Sequence, residues 1–85
     1  MAVYGSSGQD WNPVLREQDV VYALRQIDAT HSATTPPAER GVVTTVGPIF
    51  LGLLVGIGFV HRYEGYVTRH ILTPKGRAWL KERTG

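Results

Sequence analysis

This 85-residue chain has no cysteine. A disulfide framework, thiolate chemistry and sulfur-held zinc are therefore excluded, and a cytoplasmic setting is the simplest expectation. Nitrogen ligands are scarce as well. His31, His61 and His70 are the only histidines, and their spacing matches no known metal-ligand pattern, so no metal is expected. Ser6, Ser7 and Ser32 fall in loop-like stretches with no acid–base pair to frame a nucleophile. The glycines at 52, 56 and 58 lie within or at the end of a helical pattern, not in a phosphate-cradling loop after a strand. No cofactor is implied, and the chain does not read as an enzyme. Met1 to Gly8 lack the basic and apolar regions of a secretory signal. Internal repeats and long low-complexity tracts are missing too.

Charge is sparse but unevenly placed. Up to Val60, Arg16, Arg25 and Arg40 stand against Asp10, Glu17, Asp19, Asp28 and Glu39, a balance of −2. From His61 onward, Arg62, Arg69, Lys75, Arg77, Lys81 and Arg83 stand against Glu64 and Glu82, a balance of +4. Positive potential gathered in the final third suits a phosphate backbone. It equally suits a solvated helix whose cations complement its own dipole.

The length allows one domain with a small core. Residues 1–11, with Gly5-Ser6-Ser7-Gly8, read as a flexible segment, and residues 12–85 as the domain. Asn12-Pro13 is a helix-start pair, and Val20, Ala23, Leu24 and Ile27 follow as one apolar stripe, predicting a helix over 13–29. Pro36-Pro37 can open a second helix through Ala38-Glu39-Arg40, made short or irregular by Gly41 and the β-branched residues after it. Thr44 or Thr45 can cap a third helix over about 46–57, with Pro48 in its first turn and Gly58 closing it.

A hairpin follows. Phe59 to Tyr63 and Tyr66 to Leu72 are β-rich runs around Glu64-Gly65, which reads as a two-residue turn. That turn pairs Tyr63 with Tyr66 and Val60 with Arg69, and places His61 and His70 on one face. The two tyrosines can stack on bases or simply brace the ribbon. Thr73-Pro74 caps a last helix, with Ala78, Trp79 and Leu80 available to pack inward.

Gly58-Phe59-Val60 resembles the words that close the recognition helix of winged-helix regulators and enter the wing. Leu72-Thr73-Pro74-Lys75-Gly76-Arg77-Ala78 resembles the words that leave it. Together they cover about thirty residues of a chain that is thus similar to the winged helix-turn-helix family of compact prokaryotic transcriptional regulators. The resemblance implies a mainly α fold with a small antiparallel hairpin: a three-helix body, a wing and a C-terminal helix. It further implies binding of double-stranded DNA. Arg62 and Arg69 would be wing residues, with His61 of the same hairpin a further DNA-binding candidate; Lys75 and Arg77 would touch backbone, and Thr44 and Thr45 would open the recognition helix.

The third helix departs from that pattern. Val46 to Ile57 contains no Arg, Lys, Asn, Gln or Ser, so the bidentate contacts that distinguish base pairs are out of reach. A second reading is therefore a protein-interaction module, with Ile49, Phe50 and Leu53 in a homodimer or heteromer contact; a helix buried wholly within its own chain stays equally open. A third is a small membrane-associated protein, since Val42 to Val60 is nineteen residues without a charge. Pro48 and four glycines interrupt that run and weigh against a span.

Overall fold

The computed structural model describes residues 15–84. Three α-helices and one two-stranded antiparallel hairpin make up the domain: α1 Glu17–Ala29, α2 Pro48–Gly56, β1 Val60–Tyr63, β2 Arg69–Leu72 and α3 Pro74–Thr84.

The α1 stripe forms as its spacing dictates. Val20, Ala23, Leu24 and Ile27 are all buried, because four residues at helical period share one face. The helix starts later than expected. Leu15 and Arg16 lie outside it, and Arg16, with extended backbone, is the N-cap. Glu17 and Asp19 in the first turn favour a start here by facing the positive end of the dipole. Asn12-Pro13 and the segment 1–11 lie outside the described residues.

The expected second helix is a single 3-10 turn, Pro37–Glu39, so among the described residues two α-helices precede the hairpin. Arg40 is already extended. Tertiary hydrogen bonds explain why. The Gly41 carbonyl accepts the His70 N–H at 2.8 Å, and the Gly41 N–H donates to Thr30 Oγ1 at 3.1 Å. The chain after Glu39 is recruited alongside β2 and cannot continue a helix.

α2 begins at Pro48 with Gly47 as N-cap, and neither Thr44 nor Thr45 caps it. Thr45 instead donates its hydroxyl to Gln26 Oε1 at 2.9 Å. The helix ends as its glycine suggests. Gly58 has φ of 86°, its N–H bonds to the Val55 carbonyl, and the Phe59 N–H reaches the Leu54 carbonyl. That pair of bonds is a Schellman closure, and the left-handed residue within it favours glycine.

The hairpin pairs Val60 with Leu72, His61 with Ile71, Arg62 with His70 and Tyr63 with Arg69. The turn is therefore a five-residue loop, Glu64 to Thr68, and the expected register is wrong by three residues. An odd shift exchanges faces. Val60, Arg62, His70 and Leu72 share one side, and His61 and His70 are on opposite sides. Tyr66 is in the loop, unpaired and wholly exposed. Burial sets this register: Val60 and Leu72 are 2% and 4% exposed, whereas the tight turn would have set Val60 opposite Arg69.

α3 is capped as expected, with Thr73 Oγ1 accepting the Gly76 N–H at 3.0 Å and donating to the Gly58 carbonyl. Gly76 and Leu80 face inward and Trp79 is half-buried, its ring 5.2 Å from that of Phe59. Ala78 points to solvent, contrary to expectation. One core joins the α1 stripe, Val46, Leu51 and Leu54 around α2, Phe59, Val60 and Leu72 from the hairpin, and Leu80.

The uncharged run from Val42 to Val60 is divided among a loop, a nine-residue helix and the start of β1. Among the described residues, no helix is long and apolar enough to cross a membrane.

Candidate functional site

Nine residues form α2, and none carries a charge or a side-chain hydrogen-bonding group. Leu51 and Leu54 turn inward. What remains outside is Pro48, Ile49, Gly52, Leu53 and Gly56, with Ile57 just beyond. Ile49 is 77% exposed, the most exposed aliphatic side chain among the large hydrophobics of the described residues. Leu53 is half-buried. Phe50 packs partly against the core and lines a crevice of about 270 Å³ with Asp19, Tyr22, Ala23, Thr45, Val46 and Gly47. Tyr22 is 55% exposed and extends this apolar surface onto α1. Sequence reasoning passed over it; the available signal was an aromatic residue lying off the α1 stripe.

The residues expected to meet DNA do not form one free basic surface. Arg62 lies 3.7 Å from the Glu64 carboxylate. Arg69 donates to the Arg40 carbonyl and so ties the preceding loop to β2. Lys75 donates to the Ile57 carbonyl at 3.0 Å, at the negative end of α2, and sits 5.7 Å from the Phe59 ring centre. Arg77 pairs with Asp28 of α1 at 3.2 Å. His61 is exposed on the outer ribbon face with its ring edge-on to Tyr63 at 4.3 Å. Thr44 is exposed in the loop before α2, and Thr45 is engaged by Gln26. Such exposed ion pairs stabilise weakly, typically by less than about 1 kcal/mol. A strong competing anion can displace them. Arg16, Arg25 and Lys81 have no side-chain hydrogen bond or ion pair among the described residues, and they lie on or beside α1 and α3.

Arg62 stands beside α2: its guanidinium is 3.9 Å from where a Cβ on Gly52 would lie. Between ribbon and helix runs a groove of about 360 Å³ lined by Val42, Val43, Pro48, Leu51, Arg62, Glu64, Thr68 and His70. His70 is 7% exposed, and its Nδ1 is buried with no hydrogen-bond partner. Burial, reinforced by the Arg62 charge across the strand pair, holds its pKa below the ordinary 6.5. Its backbone is fixed on both sides, by the Gly41 carbonyl and by the His31 ring, which contacts the His70 carbonyl at 2.8 Å.

Among the described residues, no group of three or more His, Cys, Asp or Glu side chains could hold a metal ion. No known family, curated protein or solved structure matches this chain.

Proposed function

We propose that this chain is a winged-helix-type binding module, not an enzyme, and that it associates with a second copy of itself through the outer face of α2. The observation that carries this reading is the exposure of Ile49, beside Leu53 and the Phe50–Tyr22 crevice, on a helix with no polar side chain. In a winged helix this is the face that would read base edges. Here it offers them no donor or acceptor. A two-fold contact sets each residue against its own counterpart region. A charge-free helix meets a copy of itself without like-charge repulsion, and the adjoining Arg62–Glu64 pair is self-complementary. Full burial of one such aliphatic side chain is worth about 1.5–3 kcal/mol.

The test is mass by light scattering over a range of concentrations. The unaltered chain should approach the dimer mass, and Ile49→Lys with Leu53→Lys should return it to a folded monomer. A monomer at all concentrations before substitution rules the reading out.

Duplex DNA is the second reading. Its support is the +4 balance of the final third and the position of Arg62 at the edge of α2. Contacts of this kind go to phosphates, so binding would be insensitive to sequence and would weaken steeply with salt. Random duplex at low salt should shift with the protein, and Arg62→Ala with Arg69→Ala should reduce that shift for every sequence.

A further inference from the structure

The groove between ribbon and helix has a chemical character of its own. Four of its lining residues, Val42, Val43, Pro48 and Leu51, are apolar. Its polar groups are under-used. Arg62 carries five N–H donors, yet among the described residues its only polar contact is Glu64 at 3.7 Å, beyond hydrogen-bond reach. That side chain is 37% exposed, so an incoming ligand can reach it. His70 lines the same groove with its Nδ1 sealed and unpartnered. The neutral ring then has its other nitrogen, Nε2, left to donate.

We infer that this groove is a binding site for a small amphipathic carboxylate, whose anionic head seats on Arg62 and His70 and whose apolar body lies against Val42, Val43, Pro48 and Leu51. An Arg fork takes a carboxylate through two parallel bonds. The Glu64 carboxylate at 3.7 Å marks the same spot without reaching hydrogen-bond distance of the fork. A ligand carboxylate free to approach would displace it, and the exposed Glu64 side chain would return to water. A phosphate or sulfate would satisfy the arginine but leave the apolar wall uncovered. An uncharged aromatic would cover the wall but leave the arginine unmatched. The volume, about 360 Å³, suits a ligand of one ring. This inference does not depend on self-association: Ile49 does not line the groove, although Pro48 and the Arg62–Glu64 pair border both surfaces.

Benzoate is a suitable probe, titrated into the full chain and followed by amide nuclear magnetic resonance. Saturable shifts are expected at Val43, Arg62 and His70, with Kd near or below roughly 1 mM. Benzamide and inorganic phosphate, each meeting only half of the site, should bind far more weakly than benzoate. Arg62→Met, which keeps the stem and removes the charge, should abolish binding while the Val60–Leu72 pairing signals persist. Glu64→Gln removes the competing carboxylate and should tighten binding severalfold. Saturation with benzoate should also raise the pH midpoint of the His70 ring signal, because a bound anion favours the imidazolium. Equal response to benzamide overturns the inference, as does an unchanged affinity in Arg62→Met. Should that variant fail to fold, an unchanged or weakened affinity in Glu64→Gln overturns it instead. Ile49→Lys should leave benzoate binding intact whatever it does to the mass.

Discussion

Gly76 lies directly against the Phe59 carbonyl: a Cβ built on this glycine would stand 2.1 Å from the oxygen and 2.9 Å from the carbon. The same carbonyl accepts the Thr73 N–H at 3.0 Å, so the backbone after α2 and the first turn of α3 are locked at close range. Gly76→Ala must push α3 off the hairpin base. Overpacking of this kind typically costs about 1–3 kcal/mol, and more where the obstacle is backbone. Urea denaturation should show a lower midpoint with an unchanged slope. A midpoint equal to that of the unaltered protein would show that α3 is not held at this distance.

Thr73 joins the same two segments with its side chain. Its hydroxyl accepts the Gly76 N–H and donates to the Gly58 carbonyl. Thr73→Ala removes a helix cap, at a typical cost of about 1 kcal/mol, and also strands the Gly58 carbonyl. Thr73→Ser should recover most of the loss, because the oxygen is the working part. Thermal melts of the three proteins give the order directly.

Stability should fall on mild acidification. The pKa of His70 is lowered in the folded chain, so the unfolded state binds the proton more readily. The contribution of the neutral ring is fully present above about pH 6.5. It is lost progressively as pH falls from there toward the depressed folded value. The charged groups around the ring are Arg62 across the strand pair, Glu64 in the same groove and Arg69 next in β2; His31 reaches only its carbonyl. Arg62 opposes the imidazolium most directly, and Glu64 is too exposed to offset it. Because the chain carries two further histidines, His31 and His61, the informative quantity is the difference between the parent and His70→Gln. That variant should show a shallower loss of melting temperature between about pH 7 and about pH 5. Parallel curves would remove His70 from the response.

Ile49 and Leu54 lie on opposite sides of one helix and should respond in opposite ways. Leu54 is fully buried, and Leu54→Ala should cost about 2–5 kcal/mol through lost transfer energy and a residual cavity. Ile49 is 77% exposed, and in a folded monomer Ile49→Lys should change stability by less than about 0.5 kcal/mol. A large loss on Ile49→Lys that grows with protein concentration would place Ile49 in a buried contact between copies. Chemical denaturation at two concentrations separates these outcomes.

Local rules carried far along this chain. The α1 stripe from Val20 to Ile27, the glycine closure at Gly58 and the Thr73 cap each depend on a few neighbouring residues, and each is present as its spacing implies. The existence of an antiparallel ribbon was equally legible, because β-rich runs bracket a turn-forming stretch. Its register was not. Glu64-Gly65 reads locally as a tight turn, but Val60, His70 and Leu72 have an interior to reach, and α1, α2 and α3 supply it.

For the candidate site, composition was enough to establish an uncharged α2 and a basic final third, since both are counts along the chain. Which cations remain free was decided only by folding. Asp28 meets Arg77 from 49 positions away, and the Ile57 carbonyl meets Lys75 from 18. The groove holding Arg62 and His70 is likewise a product of the three-residue shift in pairing, which brought those side chains to one face. Periodicity and capping act over a single turn of chain, so they are written in the order of residues. Pairing register and charge neutralisation depend on which surfaces are buried together, and that is settled only when distant segments compete for the same interior.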